Sequence, residues 1–456
     1  MTDSARPVRS PWLGFSAVAV GTFMATLDGS IVNVALPTMG RKLGAPIASL
    51  EWIVTAYLLV ISSTLLASGR HGDVLGHRRV FVGGMLLFTL GSGLCGLATS
   101  VPMLVCARVV QALGASGMMS MAPAALTAIF PREQRGRALG GISSVVAAGL
   151  TAGPPIGGLL VQQFSWRAIF LVNLPIGVAG AIWASRALPA GSLAPGARLD
   201  ARGALWLAAA LGGGVGALEA APTSRGLALA LVLAAAGAAA RYVRRERAVP
   251  SPLVDASLFR SRTFSFGLAA SLLSYASLFT QTLLSPFYLA QVKGLDEGRL
   301  GLMMTAVPLA LSVTSPVAGW LSDRFGSRVL CLAGAAVLAG GLGAMAAASE
   351  GTSLPSLAAR LAAEGVGMGL FQPPNNSSVM GSLPRERLGS GGGLLATARN
   401  LGMVFGVALA GALFSAGGGA AGGASAFLAG WRLALSAGAA LALLAGLLSL
   451  AKGEAR

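Results

Sequence analysis

The sequence predicts an all-α polytopic membrane protein built from two related six-helix halves with an extra pair of helices between them. Three observations carry this: a composition too apolar for a water-facing globule, fourteen apolar stretches of membrane-spanning length, and motifs that recur at one spacing. Of 456 residues, 54% are hydrophobic and 11% charged, and mean hydropathy is +0.73, whereas soluble domains carry about 25% charged residues. The 64 glycines would weaken soluble helices, but small residues let membrane helices approach closely.

The apolar stretches run over roughly 12–37, 48–69, 80–99, 102–130, 138–161, 167–187, 203–219, 225–242, 264–291, 298–321, 328–348, 353–380, 391–416 and 430–451. A bilayer-crossing helix needs about 20 such residues. The first stretch follows a short basic N-terminus and extends past Leu36, too long for a signal-peptide core, so it is expected to be retained. An even number of spans puts both termini on one side. With the termini inside, the loops on that side hold Arg70, Arg78 and Arg79, then Arg132, Arg135 and Arg137, then Arg241, Arg244, Arg245 and Arg247. The opposite loops hold few cations, among them Arg41, Lys42 and Arg167. Cytoplasmic loops collect Arg and Lys, so both termini are expected in the cytoplasm. The same rule accounts for the net charge of +17, which in a soluble chain would suggest nucleic acid; none is expected as a partner. Cys95, Cys106 and Cys331 fall within apolar stretches and suggest no disulfide framework.

The repeat is read from three pairs. GRHGDVLGHRRV around Asp73 answers GWLSDRFGSRVL around Asp323, at an offset of 323 − 73 = 250. Arg108 answers Arg360 at 360 − 108 = 252, and Pro131-Arg132-Glu133 answers Pro384-Arg385-Glu386 at 384 − 131 = 253. The expected organisation is a half over 1–190, a linker with the extra helix pair over 191–262, and a second half over 263–456. Parallel repeats about an axis along the membrane normal are a transporter plan, with the substrate cavity near the midplane where the halves meet. A monomer handling a small molecule follows; a membrane sensor or scaffold would need a sizeable soluble domain, for which the loops leave no room.

Asp28 lies inside the first span, where a carboxylate is costly unless it faces a cavity or a partner. It is expected either to exchange a proton or recognise a cation in the cavity, or to be a structural acid bonded to a neighbouring helix. Asn33, on the same span, is a cavity candidate or a helix-packing amide. Arg108 and Gln111 stand one turn apart on one helix face and read as a polar cluster facing the interior. Arg360 and Glu364 have the spacing of an ion pair along one helix. Arg399, in the thirteenth span, is placed near the cytoplasmic end and given no role. Gly69, Asp73, Gly76 and Arg78, with Asp323, Arg324 and Arg328 in the second half, combine glycine turns, acids and bases, the makings of a latch that holds one conformation. GLTAGPPIGG supplies Gly149, Gly153, Gly157 and Gly158 as a smooth packing face, while Pro154 and Pro155 remove backbone donors and bend the helix. Phe287, Tyr288 and Phe371 are aromatic candidates for the cavity wall, with core packing as the other reading. No GxxxxGK[ST] phosphate loop is present, and the two histidines, His71 and His77, lack metal-ligand spacing. No cofactor, metal or enzymatic activity is expected.

These motifs resemble the major facilitator superfamily, specifically its fourteen-helix drug/proton antiporter branch. LDGSIVNVALP (27–37) is similar to that branch's first-helix signature, with Ser30 where Thr is usual. Gly69, Asp73, Gly76 and Arg78 match the superfamily's loop motif after helix two, although Val74 and His77 stand where Arg is common. Arg108, Gln111 and Gly114 match the fourth-helix motif, and Gly149, Gly153, Pro154, Gly157 and Gly158 the helix-five motif of exporters. SWRAIFLVNLPIG (165–177) is similar to the branch's sixth-helix entry. The resemblance implies proton-coupled export of hydrophobic, often cationic drugs or antibiotics across a bacterial inner membrane, with Asp28 and Arg108 coupling proton to substrate. The other expectation is an exporter dedicated to one endogenous metabolite, sugar or lipid.

Overall fold

The computed structural model describes residues 11–189, 201–221, 224–248, 256–384, 387–419 and 423–451, and among them every regular element is helical. The first half holds α1 (Pro11–Leu43), α2 (Ile47–Leu75), α3 (His77–Leu97), α4 (Val101–Ile129), α5 (Arg135–Gln163), α6 (Ala168–Leu171) and α7 (Asn173–Ala187). The middle pair is α8 (Ala201–Ala220) and α9 (Arg225–Ala248). The second half holds α10 (Arg262–Phe287), α11 (Glu297–Met304), α12 (Ala306–Phe325), α13 (Ser327–Ala346), α14 (Leu354–Gly381), α15 (Leu388–Ala416) and α16 (Ala424–Leu450).

Local chemistry sets many of these boundaries. Ser100, Ser261 and Asp296 cap α4, α10 and α11, accepting from the amides of Met103, Phe264 and Arg299, which satisfies donors that a helix start leaves orphaned. Gly76 and Gly326, at φ 88° and 78°, turn α2 into α3 and α12 into α13, a left-handed conformation that favours glycine. Two stretches read as single spans are broken, at Val172 and at Thr305. Pro175 and Pro308 each follow the break by three residues, and neither has an N–H to offer the carbonyl four residues back.

All fourteen predicted stretches fall on helices. Among the described residues, twelve helical segments are long and apolar enough to cross a membrane. The two expected spans not among them are α8, which contributes a shorter apolar stretch, Leu205–Leu218, and α14, which carries Arg360 and Glu364 and is less hydropathic for it. Helix starts repeat at the spacing of the motifs: 262 − 11 = 251, 297 − 47 = 250, 327 − 77 = 250, 354 − 101 = 253 and 388 − 135 = 253.

The apolar interior is divided unevenly along the bundle. One cluster joins both halves, drawing Leu27, Ile31 and Ile53 together with Leu284, Phe287 and Leu300. The opposite end has separate clusters: Val18, Phe81, Met85 and Met121 in the first half, and Phe264, Leu268, Val379 and Leu394 in the second. The halves therefore meet at the end where α1 finishes and α11 begins, and part at the other. Across the closed end, Arg41 donates to Glu297 Oε1 at 2.7 Å and Thr38 donates to the same oxygen at 2.8 Å. Helix α8 lays Val215 against Val404 and Ala408 of α15, with Trp52 and Leu59 of α2 alongside, so it covers a seam between the halves.

Glycines make the closest approaches. A Cβ on Gly149 would meet Thr26 of α1, and one on Gly153 would meet Ser30 of α1 at 2.7 Å. Gly158 faces the other half: a Cβ there would lie 3.2 Å from the Cα of Gly301 in α11. The pattern recurs at 253 residues: Gly402 and Gly406 of α15 press on Leu272 and Ala276 of α10, and Gly411 presses on Glu51 of α2. In each half, two glycines seat a helix on its own first helix and a third meets the opposite half. We expect Gly158→Val to hold α5 off α11. With the native cysteines replaced and cysteines placed at positions 41 and 297, oxidative cross-linking should fall markedly in the Gly158→Val background, and unchanged cross-linking would refute the contact.

Candidate functional site

Asp28 is fully buried at the centre of a polar cluster contributed by α1, α2, α3, α4 and α7. Its Oδ2 accepts from Arg108 Nη1 at 2.5 Å. Its Oδ1 accepts from Gln111 Nε2 at 2.8 Å and from Asn173 Nδ2 at 3.1 Å. Arg108 Nη1 also donates to Gln111 Oε1 at 2.7 Å. Ser92 Oγ accepts from Gln111 and Asn173 at 3.2 and 3.0 Å and donates to the Phe170 carbonyl at 2.9 Å. Arg108 reaches α2 as well: its Nε donates to the Ile53 carbonyl at 3.3 Å, and its guanidinium lies 3.8 Å from the centroid of the Tyr57 ring. Asp28, Gln111 and Ser92 are all fully buried and Arg108 is 1% exposed.

Each partner is where its helix spacing puts it. Arg108 and Gln111 are three residues apart on α4 and both aim at α1. Asn173 is the first residue of α7, presented inward by the break after α6. The sequence brought out Asp28, Arg108 and Gln111; it did not bring out Ser92, Tyr57 or Asn173. The available signal was Asn173 itself, an amide inside the apolar stretch SWRAIFLVNLPIG. Asn33 is separate from the cluster, donating to its own helix at the Gly29 carbonyl, 3.3 Å away.

Among the described residues the second half has no such pair. Arg360 donates to the Ala344 carbonyl at 2.6 Å rather than to Glu364, which corrects the ion pair expected from their spacing. Glu364 is fully buried with neither carboxylate oxygen hydrogen-bonded, because its side chain lies against Gly341 of α13 while Arg360 turns to the end of that helix. Phe287 and Tyr288 are buried in the cluster shared by both halves. Tyr288 stacks on Trp431 with ring centroids 4.8 Å apart and donates to the Ser349 carbonyl at 2.9 Å. Phe371 is buried against Cys331 and Ala335. The aromatic candidates therefore sit in packed core.

Of the latch residues, the side chains of Asp73 and Asp323 lie outside the described set. Arg324 stacks over Trp320 of its own helix at 4.2 Å. Gly69 has open space where a Cβ would be, whereas Gly72, which the motif reading passed over, has Met121 Cε 2.5 Å from that position.

Breaking a buried ion pair by removing one partner costs about 3–5 kcal/mol, because the other charge is left uncompensated. Asp28→Asn and Arg108→Gln should each lower the thermal midpoint of the purified protein. The double variant should recover much of the loss, since interacting residues depart from additivity; additive losses would mean the pair is not coupled. A buried group without partners costs about 1–3 kcal/mol, so Glu364→Met, of similar volume, should raise the midpoint, and a clear fall would show that the carboxyl has a partner in the folded state.

A family model described as Major Facilitator Superfamily matches residues 18–296 and again 267–454. The chain is 33% identical over 416 residues to the riboflavin transporter RibZ of Clostridioides difficile, covering 90% of this chain and 89% of that one. It is 34% identical over 413 residues to the multidrug resistance protein Stp of Mycobacterium tuberculosis, covering 90% and 76%. Among solved structures, a bacterial homologue of the human lysosomal transporter Spinster, in an inward-facing and unoccupied conformation, superposes with a TM-score of 0.71 over 98% of both chains at 16% identity. With the helical fold and the buried charge cluster, these matches identify the chain as a multi-pass membrane transporter of the Major Facilitator Superfamily, and not an enzyme.

Proposed function

We propose that this transporter is a proton-coupled exporter of hydrophobic drug-type molecules, working by alternating access. It would have fourteen spanning helices in a bacterial inner membrane, act as a monomer and keep both termini in the cytoplasm. The observation that carries the reading is the Asp28–Arg108 pair, whose acid can be neutralised by one proton while its base holds a second helix. Intramembrane ionisable groups are costly and mark ion and substrate pathways.

In this mechanism a proton taken up by Asp28 removes the charge that holds Arg108. Arg108 is also bonded to the Ile53 carbonyl and stacked on Tyr57, so its release changes the seating of α2. Two residues before Ile53, Glu51 lies against Gly411 of α15 across the seam between the halves. The proton at Asp28 is thereby linked to the contact that must open for the outer end to release substrate. With the cytoplasmic side assigned by the Arg-rich loops, the described arrangement is inward-open: joined at the outer end by Arg41, Thr38 and Glu297, and parted at the inner end.

The multidrug resistance protein at 34% identity favours a broad drug range. The riboflavin transporter at 33% favours the second reading, a carrier dedicated to one metabolite. Efflux from energised cells lacking their own pumps separates them, using a panel of cationic and anionic fluorescent dyes. Wild type should clear one or more dyes, a protonophore should abolish clearance, and Asp28→Asn should fall to the empty-vector level. Normal efflux by Asp28→Asn would refute the coupling role, and no dye efflux by well-expressed wild type would favour the dedicated carrier.

A further inference from the structure

The second half contains a small cavity, about 110 Å³, walled by three helices. Ser271 and Tyr275 come from α10, Gln372 and Asn376 from α14, and Gly392, Leu395, Ala396 and Arg399 from α15. Each set follows the three- and four-residue spacing that puts side chains on one helix face. Arg399 is deep: it lies 399 − 388 = 11 residues into α15, Tyr275 lies 275 − 262 = 13 into α10, and Gln372 lies 381 − 372 = 9 from the end of α14. At 1.5 Å per residue these positions lie about 14–20 Å from the helix ends.

The charge of Arg399 is uncompensated. Arg108 is answered by Asp28 and Arg360 by a backbone carbonyl. Arg399 has no carboxylate within ion-pair distance among the described residues, and its Nε is buried without a hydrogen-bond partner. None of the lining residues is acidic. The Arg399 guanidinium carbon lies 6.0 Å from the centroid of the Tyr275 ring, and the Tyr275 side chain and the amides of Gln372 and Asn376 line the same cavity. Gly402 and Gly406, one and two turns further along α15, clamp that helix to α10 and hold the guanidinium in place.

We propose that Arg399 is the anion-binding residue of the substrate cavity, receiving the carboxylate of an acidic hydrophobic substrate. A guanidinium matches a carboxylate with two parallel hydrogen bonds, and the surrounding amides and hydroxyl stabilise the same oxygens. Drug-sized pockets are about 300–1,000 Å³, so this cavity takes the acidic end while the apolar remainder lies in the gap between the parted halves. The proposal rests on the export reading for its substrate, and it narrows that reading from cationic compounds to acids.

The test uses the full-length protein in phosphatidylcholine nanodiscs. The probes are dansylglycine, which carries a carboxylate, and dansylglycinamide, its neutral counterpart. Wild type should bind the acid at least ten-fold more tightly. Arg399→Gln should lose that preference while keeping its affinity for the amide, and Arg399→Lys should keep part of the preference. Equal affinities in wild type, no binding of the acid, or a preference that survives in Arg399→Gln would overturn the site. Adding phosphatidylglycerol distinguishes a lipid headgroup from a substrate: displacement of the acid from wild type by this lipid would overturn the substrate assignment. Proteoliposomes made from the same proteins separate this proposal from the export reading. Acid preference without proton-driven movement of any dye would sink export and leave the site standing. Proton-driven movement of a cationic dye with no acid preference would do the reverse.

Discussion

A polar group in the interior of this protein has no water to turn to, so each must find its partner in its own helix, in another helix or in a ligand. That constraint organises the first half around Asp28. Its two carboxylate oxygens accept from Arg108, Gln111 and Asn173, and those donors fix how α1, α4 and α7 are rotated toward one another. Arg108 extends the network to α2 through a backbone carbonyl and an aromatic face. The cluster is a structural tie, and in the proposed mechanism it is also the charge on which coupling turns.

The same constraint, unmet, marks the second half. The position equivalent to Arg108 is Arg360, which has settled on a carbonyl, and no acid answers Asp28 at the equivalent residue, Phe279. The residual intramembrane charges are Glu364, buried against a glycine, and Arg399, facing a polar cavity. The two halves share a helical scaffold but divide the chemistry: one pairs its charges internally and the other leaves a cation open to the space where substrate would sit. Divergence of this kind is what a repeat permits, since packing requires the small residues to recur but not the charged ones.

Glycine supplies the mechanical counterpart. In α5 and α15, glycines at equivalent positions seat the helix on its own half and then touch the other half, at Gly301 in one case and Glu51 in the other. Helices that meet through backbone rather than interlocking side chains lose little when they part, and this suits surfaces that must separate and rejoin. The joined end is shared apolar core, while the parted end has a separate core for each half.

The helical stretches, their repeat and the glycine face were legible in the sequence, because hydropathy, spacing and residue size are one-dimensional signals. Asp28, Arg108 and Gln111 were legible because a charge inside an apolar run is conspicuous wherever it folds. Ser92, Tyr57 and Asn173 were not, since an isolated hydroxyl or amide in a membrane helix becomes meaningful only when the rotation of neighbouring helices brings it to a carboxylate. The spacing of Arg360 and Glu364 was compatible with a pair, yet Arg360 found an acceptor on α13, a contact that depends on where a different helix lies. Arg399 was given no role from the sequence; only the packing of α10 and α14 around it brought it to a polar cavity with no acid in its lining. The sequence by itself determined the class of protein and its inventory of intramembrane charges. The tertiary structure decided which of those charges are neutralised, because pairing depends on distances between helices that no spacing along one helix encodes.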